Sequence, residues 1–228
     1  MIVADAEDLP FADGLFDYII ASHVLEHVDK PEKFLGELAR VGKRGYIETP
    51  SEISELMIDK PYHLWLVNQS GGKLFLKRKV RTGDFGKLFA RFIDSEEHFR
   101  KLTTKYRSLF FVSHEWDGGI DFEITDKDSY PFDYSSVETV DSLITKAQEA
   151  YAIERSFMVK MKRSVEKRVV KIDKLLNRKR AQKRPIEEIL VCPSCKGGVV
   201  WQSEKIVCKG CGIDYELKDG IPRMLIPE

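Results

Sequence analysis

Between Leu15 and Val28 the sequence LFDYIIASHVLEHV passes from one hydrophobic period to another without a break. Phe16, Tyr18, Ile19, Ile20 and Ala21 form a β-branched and aromatic run, too short for a helix and apolar enough for a strand buried on both faces. Ser22 is a good N-cap, and after it Val24, Leu25 and Val28 fall on one helical face. A strand therefore runs into a helix at Ser22-His23. In open α/β sheets, ligands bind at such carboxyl ends of strands.

The flanking segments extend the pattern. Ile2-Val3-Ala4 is a second apolar run, ending in Asp5-Ala6 and followed by turn signals at Pro10 and Asp13-Gly14. Pro31 opens a helix with Phe34, Leu35, Leu38 and Val41 on one side, closing near Gly42. Tyr46-Ile47 makes a third short strand before Thr49-Pro50. Strands alternating with helices predict an α/β fold with a mainly parallel sheet.

The string ADAEDLPFADGLFDYIIASHVLEHVDKPEKFLGELARVGKRGYIETPS resembles the second half of a class I, type 11 S-adenosylmethionine-dependent methyltransferase. The resemblance implies a partial Rossmann-like sheet ending in antiparallel strands. It implies that Asp5 and Ala6 read the adenine of the cofactor, and that Ser22 and His23 lie beside its methionine and reacting methyl. It also places the family's glycine-rich turn before Asp5, so a sheet built from Met1 onward lacks its middle strands. Three resolutions follow: a truncated member of the family, a different pairing for Ile2–Ala6, or strands supplied by a second chain.

Further along, Ser51 to Asp59 reads as a short helix with Ile53, Leu56 and Met57 on one face. His63–Val67 and Lys73–Lys77 alternate around an Asn68–Gly72 turn, a hairpin signal. In related methyltransferases an insertion here caps the substrate side, which makes His63 and Trp65 candidate substrate-binding residues; the alternative is a satisfied histidine and a core tryptophan. A helix from Asp94 or Ser95 to about Arg107 precedes strands at 109–116 and 120–124 around Gly118-Gly119, expected as the last strands of the same sheet. Residues 126–135 read as a linker.

From Ser136 to Lys183 neither Gly nor Pro interrupts a helix, and Pro185 stops it. Val137, Ile144, Tyr151, Met158, Val165 and Ile172 recur every seven residues, with Val140, Ala147, Met161 and Leu175 offset by three or four, a heptad stripe. From Arg155 to Arg184 thirteen basic residues face only Glu166 and Asp173, although the whole chain is neutral. The run is either a solvated helix face or a surface for RNA or another anionic partner such as a phosphorylated glycan.

All four cysteines occur in Cys192-Pro-Ser-Cys195 and Cys208-Lys-Gly-Cys211. Two-residue spacing lets both sulfurs of a pair reach one ion, and two such knuckles make a closed tetrahedral zinc site. Gly197 and Gly212 supply tight turns, and Val199–Trp201 and Lys205–Val207 form the hairpin between the knuckles. The segment from Glu188 to Glu228, with its Asp219-Gly220-Ile221-Pro222 turn, resembles the small zinc-ribbon proteins that bind and activate tRNA and translation-factor methyltransferases. In that family the ribbon carries no catalytic residues and holds its partner by strand addition.

The chain is thus expected to hold a truncated methyltransferase-like domain at 1–130, a linker and long basic helix at 131–185, and a zinc ribbon at 186–228. No apolar run reaches the length of a membrane span and no signal peptide opens the chain, which predicts a cytoplasmic protein. The expected function is methyl transfer from S-adenosylmethionine, with zinc structural and with His23 or His27 as the base if one is needed. The alternative is a non-catalytic accessory protein that docks on, and activates, a complete methyltransferase. His23-Val-Leu-Glu-His27 also fits the metalloprotease pattern H-x-x-E-H, in which two histidines one helical turn apart bind zinc.

Overall fold

A computed structural model describes residues 1–80, 85–125, 136–155 and 184–227. The expected linker, and the basic run apart from its two end residues, lie outside the described residues. Among the described residues, no helix is long and apolar enough to cross a membrane.

The strand read at Phe16–Ala21 is β2 (Ile19–Ser22), paired in parallel with β3 (Arg44–Pro50), which pairs antiparallel with β6 (Phe111–Asp117). Helix α1 (Pro31–Val41) makes the crossover between the first two. Phe34, Leu35, Leu38 and Val41 are all under 5% exposed, so its predicted apolar stripe is the buried one. Burying each such side chain is worth about 1.5–3 kcal/mol, which fixes α1 against the sheet.

Two features of the sheets differ from the sequence reading. The sheet is not mainly parallel: it holds one parallel and one antiparallel pair. The hairpin of β4 (Trp65–Ser70) and β5 (Lys73–Arg78), turned by Gly71-Gly72 at φ of 57° and 81°, forms a separate sheet. β7 (Phe122–Ile124) joins that sheet, parallel to β5, instead of following β6. The Gly118-Gly119 segment is therefore a crossover between sheets. The residues before β6 are helical, with α3 (Phe85–Ser95), α4 (Glu97–Lys105) and α5 (Arg107–Phe110) in succession.

Helix α2 (Glu52–Ile58), capped by the Ser51 hydroxyl accepting from the Ser54 amide, turns the opposite face inward from the one its apolar residues predict. Glu52, Ser54 and Glu55 are buried, whereas Leu56 is 55% exposed. The buried carboxylates are matched: Asn68 Nδ2 donates to Glu52 at 2.8 Å and Lys79 Nζ to Glu55 at 2.8 Å. Satisfied hydrogen bonds are what make such burial tolerable.

Helix α6 (Val137–Arg155) packs against α5, and Ala147 is the most buried of its described side chains. Val137 and Ile144, the first two positions of the heptad stripe, are 72% and 44% exposed. Within the stripe it is the offset position Ala147, not Val137 or Ile144, that is buried.

The ribbon holds β8 (Val199–Trp201), β9 (Lys205–Cys208), β10 (Asp214–Lys218) and β11 (Ile221–Met224), all antiparallel, preceded by a single helical turn α7 (Ile186–Ile189). Asp219 and Gly220, at φ of 53° and 73°, make the two-residue turn between β10 and β11; left-handed backbone at both positions matches the twist of a hairpin.

The open question about Ile2–Ala6 has a definite answer. β1 (Val3–Ala4) pairs in parallel with β11, Val3 opposite Arg223 and Ala4 opposite Met224, as the fifth strand of the ribbon sheet. Ile2, Ala4 and Phe11 pack on the ribbon core around Tyr215, Ile206 and Met224, while Ala6 and Leu9 pack on the core of the α/β part. The first eleven residues thus stitch the two cores together. The Val191 amide donates to the Pro10 carbonyl at 3.0 Å, and Lys196 Nζ reaches Glu37 at 3.1 Å.

Candidate functional site

The four cysteines are gathered as their spacing predicts, with their sulfurs within 4.8 Å of one another. Cys195 and Cys208 Sγ are 3.4 Å apart, and Cys192 and Cys211 Sγ 3.6 Å. Amides of Gly210 and Cys211 point at Cys208 Sγ from 3.3 and 3.4 Å, and the Tyr215 hydroxyl donates to Cys192 Sγ at 3.0 Å. Donors aimed at sulfur favour thiolate: the Cys211 and Gly210 amides outweigh burial and bring Cys208 down to about 6. Burial and the Cys192 sulfur push the Tyr215 phenol well above its ordinary value, so it stays a donor. A Cβ at Gly197 or Gly210 would meet Cys195 Sγ at 3.2 or 3.3 Å, so these glycines leave room for the sulfur. Four clustered sulfurs, with backbone amides aimed at Cys208, fit a zinc ion with a closed shell.

The second region lies at the carboxyl ends of β2 and β3. Ser22 ends β2 and caps nothing: the residues after it form only a single 3₁₀ turn, Leu25–His27, whose N-cap position is Val24. The predicted helix is only this one turn, with Leu25 and Val28 of its apolar face buried. His23 sits at φ 57°, a left-handed conformation uncommon outside glycine, held by its amide donating to the Glu48 carbonyl at 2.8 Å. The conformation turns its ring toward two carboxylates. Nδ1 is 3.1 Å from Glu26 Oε1, and Nε2 is 3.8 Å from Glu48 Oε1. With Nδ1–H donated to Glu26, Nε2 is left free to accept a proton.

Glu26 is fully buried, and Thr49 Oγ1 donates to its second oxygen at 2.9 Å. Glu48 is likewise organised. Burial would raise its carboxyl, but the Tyr46 hydroxyl and the Arg107 guanidinium outweigh burial and hold it below the usual carboxylate range. His23 and His63 both line a cleft of about 300 Å³ walled by Pro50, Tyr62, Phe110 and Phe111. His63 is inside the site, bonded through Nδ1 to Glu55.

Trp65, the other expected substrate residue, is in the core at 6% exposure, with its indole N–H donating to the Val28 carbonyl at 2.7 Å. A large aromatic with its one donor satisfied serves packing here. Asp5 is exposed, its carboxylate accepting from the Glu7 amide at 2.9 Å, and Ala6 lies at the edge of the larger core. His27 is also beside the cleft, stacked on Tyr62 with centroids 5.6 Å apart. The H-x-x-E-H metalloprotease geometry is not formed, because the two histidines do not share an α-helical face: His23 lies before the 3₁₀ turn that holds His27, and its Nδ1 is bonded to Glu26. Sequence reasoning missed Glu26, Glu48, Glu55, Lys79 and Arg107 as site residues. Only Glu26, inside the histidine pattern, carried a local signal.

The family described as "Methyltransferase domain" matches residues 1–47. Ajmaline N-methyltransferase of Rauvolfia serpentina is 44% identical over 43 residues, covering 19% of this chain and 15% of that protein. A UPF0434 protein of Methylobacillus flagellatus is 46% identical over 43 residues, covering 18% of this chain and 72% of that protein. Another, of Laribacter hongkongensis, is 50% identical over 40 residues, covering 17% and 68%. The chain thus spans a small part of the methyltransferase relative and most of the UPF0434 relatives. No solved structure matches it.

Proposed function

Because the chain belongs to the UPF0434 family through a segment of 43 residues, we propose that its ribbon at 186–228 is that segment and docks, within the same polypeptide, on an S-adenosylmethionine-dependent methyltransferase part. The observation that carries this reading is the pairing of β1 with β11. β1 lies inside the residues that match the methyltransferase domain, and it occupies an edge of the ribbon sheet. Strand addition supplies main-chain hydrogen bonds to whatever segment binds. Here the segment that binds is the chain's own.

Bound S-adenosylmethionine would supply an electrophilic methyl on a sulfonium. Asp5 and Ala6 are assigned to its adenine, and Ser22 and His23 to its methionine. The acceptor would enter the cleft beside His23 and His63. With Nδ1 fixed by Glu26, His23 Nε2 would take the proton that an oxygen or nitrogen acceptor loses, and Phe110 and Phe111 would exclude water from that face. Zinc would be structural, since four sulfurs leave no open position.

One observation favours a partner in addition. β2 is an edge strand among the described residues, and Ile20 on it is 70% exposed. An unpaired edge of this kind is a template for another strand, so a second chain that completes the sheet, or a complete methyltransferase that the ribbon activates, is the alternative reading.

The test is calorimetric titration of S-adenosylmethionine into the zinc-loaded chain, with Asp5→Ala as control. Saturable binding that Asp5→Ala abolishes supports the assignment. No binding to a folded, zinc-loaded chain overturns autonomous donor binding and leaves the accessory reading.

A further inference from the structure

We propose that Glu26, His27 and His63 form a second metal site, for a divalent first-row transition ion, separate from the four cysteines. One ligand atom from each of the three residues lies within 4.8 Å of the other two. His27 Nε2 is 4.0 Å from Glu26 Oε1, and the two imidazole rings are edge to face with centroids 4.7 Å apart.

What distinguishes this cluster from a chance meeting is the state of the atoms behind the ligands. His27 Nδ1 donates to the Tyr62 carbonyl at 3.3 Å, which leaves its Nε2 lone pair free. His63 Nδ1 donates to the buried Glu55 carboxylate, which leaves its Nε2 lone pair free as well. Glu55 in turn is fixed by Lys79 Nζ at 2.8 Å. A carboxylate or carbonyl behind each imidazole is the support that metal-binding histidines need, since it sets the tautomer and raises ligand basicity. Glu26 is oriented from behind by Thr49, so Oε1 is presented and Oε2 is engaged. The His23 Nδ1–H contact at 3.1 Å uses one lone pair of Oε1 and leaves the other.

The backbone supports the same geometry. Glu26 and His27 lie in the 3₁₀ turn and His63 lies just before β4; the Leu64 amide donates to the Glu26 carbonyl at 2.7 Å, tying the two segments together. Two imidazoles and a carboxylate suit zinc, iron, cobalt or manganese. Three protein ligands leave coordination positions open, and His63 faces the cleft. An ion here would present a Lewis acid to an oxygen or nitrogen donor bound in that cleft.

The experiment is a titration of Co²⁺ into the chain loaded with one equivalent of zinc, enough for the four cysteines alone, without methyl donor, followed by visible absorption. The expected result is d–d bands saturating at one equivalent with no thiolate-to-cobalt charge-transfer absorption. In His27→Ala the apparent affinity falls at least about tenfold, the scale on which even supporting partners of metal ligands act. His27 is 40% exposed, so this variant keeps its fold; His63→Asn is the second variant, checked by unchanged zinc content and far-ultraviolet dichroism. Absence of the bands, bands that carry thiolate charge transfer, or equal affinity in His27→Ala overturns the site. Because no methyl donor is present, the result is independent of whether S-adenosylmethionine binds.

Discussion

Lys79 is the most exacting test of the polar interior that supports the cleft. Its ammonium is 3% exposed and lies 2.8 Å from Glu55, 3.1 Å from Asp59 and 2.6 Å from the Lys60 carbonyl. Glu55 itself is 2% exposed, so neither charge has water to fall back on. Lys79→Met keeps the length and apolar stem of the side chain and removes only the charge. It strands Glu55, which keeps its bond to the His63 ring, and removes the Lys79 contact from Asp59. Breaking a buried pair by removing one partner costs about 3–5 kcal/mol. At about 2–4 °C per kcal/mol for a chain of this size, Tm should drop by roughly 6–20 °C. The assay is urea unfolding of the zinc-loaded chain, followed by tryptophan fluorescence and checked by calorimetry. Adding Glu55→Gln to Lys79→Met should restore part of the loss, because the stranded charge goes with it. A loss below about 1 kcal/mol, the range of exposed pairs, would refute the reasoning, and so would additivity of the two substitutions.

Two further outcomes follow from the junction and the ribbon. Burial would raise the Glu37 carboxyl, but Arg40 and Lys196 outweigh burial and depress it; a depressed carboxyl stabilises the fold above its unfolded pKa and loses that contribution as pH falls through the folded one. Tm measured from about pH 6 down to about pH 3 should therefore decline through and below the ordinary carboxylate range near 4.3, and Lys196→Met should flatten that decline. An unchanged profile in the variant would show that the contact across the two cores carries no stability. Tyr215→Phe removes the hydroxyl that donates to Cys192 Sγ and should weaken zinc binding by about 10–100-fold in chelator competition; zinc affinity equal to wild type would mean the hydroxyl is there for packing alone.

Much of this was readable from local sequence. The stripe Phe34, Leu35, Leu38, Val41 gives α1 and its buried face, Gly71-Gly72 gives the hairpin turn, and the cysteine spacing gives the cluster of four sulfurs. Each is encoded within one element or two neighbouring ones. What could not be read depends on partners far along the chain. Val3–Ala4 has the composition of any short strand, and nothing in it names β11, more than two hundred residues away, as the neighbour. β7 has the same difficulty: adjacency to β6 in sequence suggested adjacency in the sheet, but its register is with β5. Helix α2 misleads for a different reason. Its apolar positions predicted the buried face, while the polar groups that meet Glu52 and Glu55 lie elsewhere along the chain, at Asn68, His63 and Lys79. A polar face turned inward is visible only once those partners are in place, and it is this inversion that builds the wall of the cleft.

The claim that joins the two halves of the molecule is that the ribbon, by taking β1 as its fifth strand, holds Asp5 and Ala6 where the methyl donor binds. Small zinc ribbons draw most of their folding free energy from the metal, so the donor site should depend on zinc. The most direct measurement is S-adenosylmethionine binding by calorimetry on the same preparation in three states: zinc-loaded, stripped with a chelator, and reloaded. Binding that disappears on stripping and returns on reloading is the predicted result. Equal binding with and without zinc would contradict the account, since the donor site would then stand without the ribbon that is said to complete it.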